Sequence, residues 1–236
     1  MSQVTDALAT TVSVITAMGA LGTAAFGLVD ATKAFAGGVS NIGFGAILGA
    51  LRPFDAALDQ ATPDWRATLR ANWINGVAKE DQKTAAKTLI RLGISATNVD
   101  ALATAGHVDQ ADLRRALTAI EKGAPLSIAD AQLFGRLNAV IDAVMDAGYE
   151  LGDQRYRNAC KLIAGLVAIG LAAWAGFLVK DLPIVATLKS QPDYIGSRLF
   201  WWALFAGAVS VPVAPIAKNL ASSLQDAATA VTAAKV

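Results

Sequence analysis

The uncharged positions of this chain form four long runs, and the clearest of them extends from Leu162 to Val179. At 1.5 Å per residue, a helix over this run nearly crosses the hydrocarbon core of a bilayer, which is roughly 30 Å thick. Arg155, Arg157 and Lys161 precede the run, and basic residues are enriched at the cytoplasmic ends of such helices. The pattern therefore predicts a transmembrane helix whose N-terminal end faces the cytoplasm.

The same run carries small residues at every fourth position, namely Ala164, Ala168, Ala172 and Gly176. Residues at this spacing lie on one face of a helix. Small side chains let two membrane helices approach closely. This face predicts a helix contact, within the chain or between copies of it.

Another uncharged run lies between Asp6 and Asp30 and predicts a second transmembrane helix. A secretory signal requires basic residues before its apolar core, and no Lys or Arg precedes this run. We therefore expect the segment to be retained. Small or hydroxyl residues fall within one stripe of this helix: Ser13, Thr16, Ala20, Thr23 and Gly27. The stripe predicts a close helix contact or, as the alternative, the wall of a narrow polar pathway.

Residues 34–51 form a third run that is rich in glycine, which costs about 1 kcal/mol relative to alanine inside a helix. Two interpretations remain open. The run is either a complete span or a partial, re-entrant helix that begins near Ser40 and leaves the membrane near Arg52. A complete span puts the N-terminus in the cytoplasm, whereas a re-entrant segment puts it outside.

The fourth run covers residues 199–217, and the prolines at 212 and 215 predict a bend in it. Aromatic residues cluster near its start: Tyr194, Phe200, Trp201 and Trp202. Because aromatic rings favour the membrane boundary, we expect this end at the interface. The connection before it, with the apolar stretch 182–188, is expected on the outer side of the membrane.

Residues 52–161 carry most of the charged side chains and predict a helical cytosolic domain. Helix start and stop signals place helices from Thr62-Pro63-Asp64 to about Asn75, from Lys79 to Leu92, over a short stretch within 95–105, and from Asp109 to Lys122. Ser127 and Asp130 resemble a capping box that opens a further helix. Gly148 and Gly152 predict a break before the membrane segment.

The most regular charge pattern in this domain is a basic stripe at four-residue spacing: Lys79, Lys83, Lys87 and Arg91. A stripe of this kind predicts a surface for anionic lipid or an acidic partner, or simply a solvated helix face. Glu80 and Asp81 dilute its charge, so we do not expect nucleic-acid binding.

Composition supports a membrane protein and gives no sign of catalysis. Hydrophobic residues make up 54% of the 236 positions, and charged residues make up 17%, against about 25% in soluble domains. The single histidine, His107, and the single cysteine, Cys160, cannot form a multi-ligand metal site or an intrachain disulfide. We expect no catalytic residue, no cofactor and no metal.

The sequence thus predicts an all-α, polytopic membrane protein with four membrane segments, or three plus a re-entrant one, and an inserted cytosolic domain. The expected parts are an N-terminal membrane hairpin (1–51), a helical domain (52–161), a C-terminal membrane hairpin (162–217) and a cytosolic helix (218–236). We expect a bacterial-type inner membrane and a homo-oligomeric assembly that acts as a scaffold or passive pore. The alternative is a tethered adaptor whose helical domain recruits a cytosolic or membrane protein.

Overall fold

The computed structural model describes residues 2–180 and 194–233, and these are almost entirely helical, with no strand among them. Nine α-helices lie in the described residues: α1 (Ser2–Ala31), α2 (Ser40–Leu51), α3 (Asp55–Ala61), α4 (Trp65–Ile74), α5 (Lys79–Leu92), α6 (Val99–Gly106), α7 (Gln110–Glu121), α8 (Ile128–Val179) and α9 (Arg198–Ala233). The all-α expectation is confirmed. The stretch 182–188, expected at the membrane interface, lies outside the described residues.

Among the residues that the structure describes, three helical segments are long and apolar enough to cross a membrane: Ala9–Ala34, Ile128–Val179 and Arg198–Ala217. These correspond to three of the four expected membrane segments. Together they indicate association with a membrane.

The chain divides into two compact units. Residues 1–38 and 158–236 form one, called here the terminal unit, and residues 39–157 form the other, called the central unit. Helix α8 contributes its first part to the central unit and its last part to the terminal unit. The stretch 39–51, expected in an N-terminal membrane hairpin, belongs to the central unit.

In the terminal unit, α1 and the last part of α8 each run antiparallel to α9. Along the contact with α1, Gly19 faces Ala217 and Gly22 faces Ala214 and Ser210. Along the contact with α8, Gly207 lies against Ala168 and Ile169, and Gly176 lies against Ala203. It follows that α1 and the 158–179 part of α8 run in the same direction.

The structure does not form a complete span over residues 34–51. Helix α2 has 12 residues, so it is about 18 Å long and too short to cross a bilayer. It begins at Ser40, where the partial-helix interpretation placed its start. The turn before it holds Ala36, Gly37 and Gly38 at positive φ, a backbone conformation that favours glycine and ends the preceding helical stretch.

The expected break near Gly148 and Gly152 is wrong, because α8 is continuous over 52 residues. Both glycines instead make room for α2. A Cβ atom on Gly148 would lie 2.5 Å from the Cβ of Ala50, and one on Gly152 would lie 2.9 Å from Ile47. Gly43 on α2 faces the Gly152 carbonyl in return. A glycine inside a helix weakens it by only about 1 kcal/mol, and close packing between α2 and α8 offsets that cost.

The central unit is built around one hydrophobic core to which all its larger helices contribute. Trp65, Leu69, Ile90, Leu113 and Ile141 are all completely buried there. The Trp65 indole also donates a hydrogen bond of 2.7 Å to Oδ1 of Asp59. Burying these side chains contributes about 1.5–3 kcal/mol each, so the core holds α3 to α8 together.

The helix boundaries predicted in this region are confirmed within a few residues, and so is the capping box. The Ser127 hydroxyl accepts from the Asp130 amide, and Asp130 accepts from the Ser127 amide and hydroxyl. Gly93 follows the last residue of α5 with φ at −90°. It is needed for space, because a Cβ there would collide with the carbonyl of Ala57.

Candidate interaction surfaces

The small and hydroxyl stripe of α1 is exposed along its whole length. Every member, Ser13, Thr16, Ala20, Thr23 and Gly27, lies at the surface of the chain, and nothing lies within 4 Å of the position that a Gly27 Cβ would take. Packing against α9 uses a different face of the helix, where Gly19, Gly22, Ala25 and Val29 are buried. The predicted stripe is therefore uncovered by the residues that the structure describes.

Four hydroxyl groups on α1 donate hydrogen bonds to their own helix. Ser13 donates to the carbonyl of Ala9 at 2.9 Å, and Thr23 donates to the carbonyl of Gly19 at 2.8 Å. Thr10 and Thr11 bond in the same way, four residues back. Because these protons are already donated, the hydroxyls do not require water, which makes them tolerable in lipid or in a dry helix contact.

The small-residue face of α8 packs within the chain. Ala164 and Ala168 are completely buried, and Ala172 is 8% exposed. Gly207 of α9 lies against the backbone of this face, since a Cβ on Gly207 would be 2.8 Å from the Ala168 carbonyl. The close helix contact is therefore intramolecular, and this face is not available to a second copy.

Aromatic side chains gather where α8 ends and α9 begins. The Tyr194 hydroxyl donates to the Ala173 carbonyl at 2.7 Å, and its ring meets Phe177 and Phe200 edge to face. Trp201 and Trp202 are 63% and 60% exposed. Tyr194 and Phe200 thus pack the helix pair together, while the two indoles face outwards, as side chains at a membrane interface do.

The basic stripe of α5 does not stand free for lipid or a partner, because α8 presents acids to it at the same four-residue spacing. Lys79 pairs with Glu150, Lys83 with Asp146, and Lys87 and Arg91 with Asp142. Arg91 also donates to Asn138 at 3.0 Å. We call this set the charge ladder: Lys79, Lys83, Lys87 and Arg91 of α5 with Asn138, Asp142, Asp146 and Glu150 of α8.

The ladder shifts the titration of its members. The hydrogen bonds that Lys83 donates to Glu80 and then to Asp146 raise the pKa of Lys83 above its ordinary value. The hydrogen bond from Lys83 lowers the pKa of Asp146, and the one from Lys79 lowers the pKa of Glu150. Each shift favours the charged form, so all three groups stay ionised near neutral pH.

The structure also gives the positions of the single histidine and the single cysteine. His107 is exposed and ends α6 in the left-handed conformation, with φ at 49°. Cys160 is a half-buried thiol on α8. Across residues 2–180 and 194–233, no three His, Cys, Asp or Glu side chains come close enough together to hold a metal ion.

Sequence reasoning missed the acidic residues that pair with the basic stripe of α5 and the glycines by which α1 packs against α9. Asp142, Asp146 and Glu150 repeat at four-residue spacing, and this repeat could have been matched to the basic stripe of α5. Gly19 and Gly22, the closest points of α1 to α9, also lie at a spacing that puts them near one face.

Comparison of the chain with the models of known families, with curated proteins and with solved structures finds no match.

Proposed function

We propose that this protein forms a homo-oligomeric scaffold in a membrane, with the exposed stripe of α1 as the contact between copies. The observation that carries the proposal is the exposure of all five stripe residues on a helix apolar enough to cross a membrane. In lipid there is no hydrophobic gain from hiding apolar side chains, so helices associate through small residues that allow close backbone contact. The stripe supplies such residues, and no described part of the chain packs against it.

A second copy of the chain fits this stripe better than a polar channel does. The hydroxyls of Ser13 and Thr23 donate to their own helix, and no stripe residue is ionisable. Pathways for ions or protons are usually marked by ionisable residues inside the membrane. A dry contact between two α1 helices, self-complementary about a two-fold axis, needs neither water nor charge.

The helix directions in the terminal unit support a cytoplasmic position for the N-terminal end of α1. Since α1 and the 158–179 part of α8 are parallel within the terminal unit, the N-terminal ends of both lie on the same side of the membrane. The basic residues Arg155, Arg157 and Lys161 before the apolar run favour the cytoplasm for that end.

Leucine substitutions in the stripe test the scaffold. We expect Ala20→Leu with Thr23→Leu to reduce the oligomer to monomer or to shift its dissociation to lower detergent concentration, because the larger side chains hold the helices apart. Ala17→Leu is the matched control, since Ala17 is exposed on α1 outside the stripe. Size-exclusion chromatography with light scattering measures both. Equal oligomer sizes for the two variants would overturn the proposal.

A tethered adaptor is the second candidate, and one surface of the central unit favours it. Ile120, Leu126 and Ile128 are 49%, 41% and 80% exposed where α7 leads into α8. These three residues are close in sequence, and a patch of exposed apolar side chains often marks a protein contact. Recovery of a foreign protein in fixed proportion from the native membrane, lost on Ile128→Ser, would support the adaptor.

A further inference from the structure

The terminal unit contains a cavity of about 770 Å³ between α1, α8 and α9. Its volume lies within the range of about 300–1,000 Å³ that is usual for binding sites of small molecules. Phe26 of α1, Leu166 of α8 and Val211 of α9 each line one wall. The scaffold proposed above uses a different, exposed face of α1, so the cavity does not depend on it.

Polarity changes along the cavity from one end to the other. Asn158 and Lys161 line it where α8 enters its apolar run, and Leu162, Leu166 and Ile169 follow over the next two turns. From Lys161 to Ile169 the helix rises about 12 Å. The cavity is therefore polar at the membrane boundary and apolar towards the membrane interior.

One side of the cavity is open. Leu162 and Leu166 are 68% and 62% exposed, although both line it. In a bilayer these side chains face lipid. A hydrocarbon chain can therefore enter from the side, without passing through water.

The α9 wall adds hydrogen-bond acceptors. Pro212 and Pro215 line the cavity together with Ala208 and Val211, which stand four residues before each proline. Because proline has no N–H, the carbonyls of Ala208 and Val211 lack their usual helical donors. Carbonyl oxygens of this kind accept hydrogen bonds from hydroxyl groups, which several phospholipid headgroups carry.

We propose that this cavity binds one anionic phospholipid from the surrounding membrane. The phosphate lies between Lys161 and Asn158, and an acyl chain lies along Leu162, Leu166 and Ile169. Lys161 is the one charged residue among those that line the cavity in the described part of the chain, so the site carries positive charge. Basic pockets between membrane helices on the cytoplasmic side are suited to anionic headgroups.

Two glycines of α8 provide a matched pair of variants. A Cβ meets nothing within 4 Å at either Gly165 or Gly170, but only Gly165 lines the cavity. Gly165→Leu therefore fills the site, and Gly170→Leu adds the same side chain elsewhere on the helix. Lys161→Gln removes the charge without changing the packing.

The full-length protein is purified in detergent, supplied with dioleoylphosphatidylglycerol or dioleoylphosphatidylcholine, and examined by native mass spectrometry. We expect one retained phosphatidylglycerol per chain and about a fivefold preference for it over phosphatidylcholine, the effect of one lysine near a headgroup with a net negative charge. Gly165→Leu should lose the bound lipid, Lys161→Gln should lose the preference, and Gly170→Leu should behave as the unaltered protein.

Three results would overturn the proposal. The first is equal retention of both lipids, and the second is equal lipid loss in Gly165→Leu and Gly170→Leu. The third is displacement of the lipid by glycerol phosphate at a concentration similar to that of the lipid. The last would indicate a headgroup site without an acyl-chain site. Far-UV circular dichroism reports whether Gly165→Leu folds. If that variant does not fold, the lipid preference of Lys161→Gln tests the proposal. Oligomer size measured on the same samples reports the scaffold separately.

Discussion

The side-chain nitrogen of Lys83 lies 3.1 Å from Oδ1 of Asp146, and Lys83 is only 6% exposed. Glu80 accepts a second bond from the same ammonium at 3.0 Å. A buried lysine needs such partners, because its desolvation otherwise disfavours the charged form. This pair is the most enclosed step of the charge ladder, and it links α5 to α8 in the central unit.

Removal of the Lys83 ammonium should destabilise the central unit. For Lys83→Met we expect a loss of about 1–2 kcal/mol in the free energy of unfolding, less than for a fully buried pair because both carboxylates are largely exposed. Thermal denaturation followed by circular dichroism measures the loss. Lys122→Met is the control, since Lys122 is exposed, and similar melting temperatures for the two variants would refute the role of the ladder.

Acid should weaken the same contact. The pKa of Asp146 is held below its ordinary value of 3.8 by Lys83, and that of Glu150 below 4.5 by Lys79. In acid the folded state therefore binds fewer protons than the unfolded state. The resulting stability is complete above about pH 5 and is lost as the pH falls through the lowered values. Melting temperatures of the wild type should fall more between pH 6 and pH 3 than those of Asp146→Asn with Glu150→Gln, and parallel curves would contradict this.

The glycine contact between α2 and α8 should tolerate no added carbon. Gly152→Ala is expected to destabilise the central unit by about 1–3 kcal/mol, because its Cβ would meet Ile47 and the Gly43 carbonyl. Gly135→Ala on the same helix has open space around it and should stabilise the helix by about 0.5–1 kcal/mol. Urea unfolding of the two variants should give changes of opposite sign; changes of the same sign would argue against the packing described for Gly152.

Overfilling the buried face of α8 should affect folding rather than assembly. Ala168→Leu with Ala172→Leu puts large side chains against α9, at an expected cost of about 1–3 kcal/mol for each. Ala175→Leu, at an exposed position, is the control. Thermal stability in detergent should drop for the double variant while the oligomer that remains folded keeps its size. A smaller oligomer at unchanged thermal stability would contradict this, because it would indicate that this face of α8 forms the contact between copies.

Much of the fold follows from local signals in the sequence. Capping residues and apolar periodicity located the helices from Trp65 to Glu121, and uncharged runs located the three helices able to span a membrane. These signals depend on neighbours in sequence, which is why they succeed. The helix break predicted from Gly148 and Gly152 was wrong. These glycines make room for α2, which is distant from them in sequence.

The interaction surfaces show the same limit. The spacing of Ala164, Ala168 and Ala172 predicted a packing face, and only the fold reveals that α9 lies against it. The basic stripe was visible as a pattern, but its meaning depends on Asp142 and Asp146, which another helix brings opposite it. A surface pattern identifies a contact, whereas the partner depends on tertiary structure.

The most direct test of the account is the mass of the protein released gently from its native membrane, measured by native mass spectrometry. A homo-oligomeric scaffold predicts a single species at an integer multiple, greater than one, of the 24.3 kDa chain, and dissociation of that species in the Ala20→Leu, Thr23→Leu variant. A species at 24.3 kDa alone would contradict the scaffold, and so would a mass that requires other proteins.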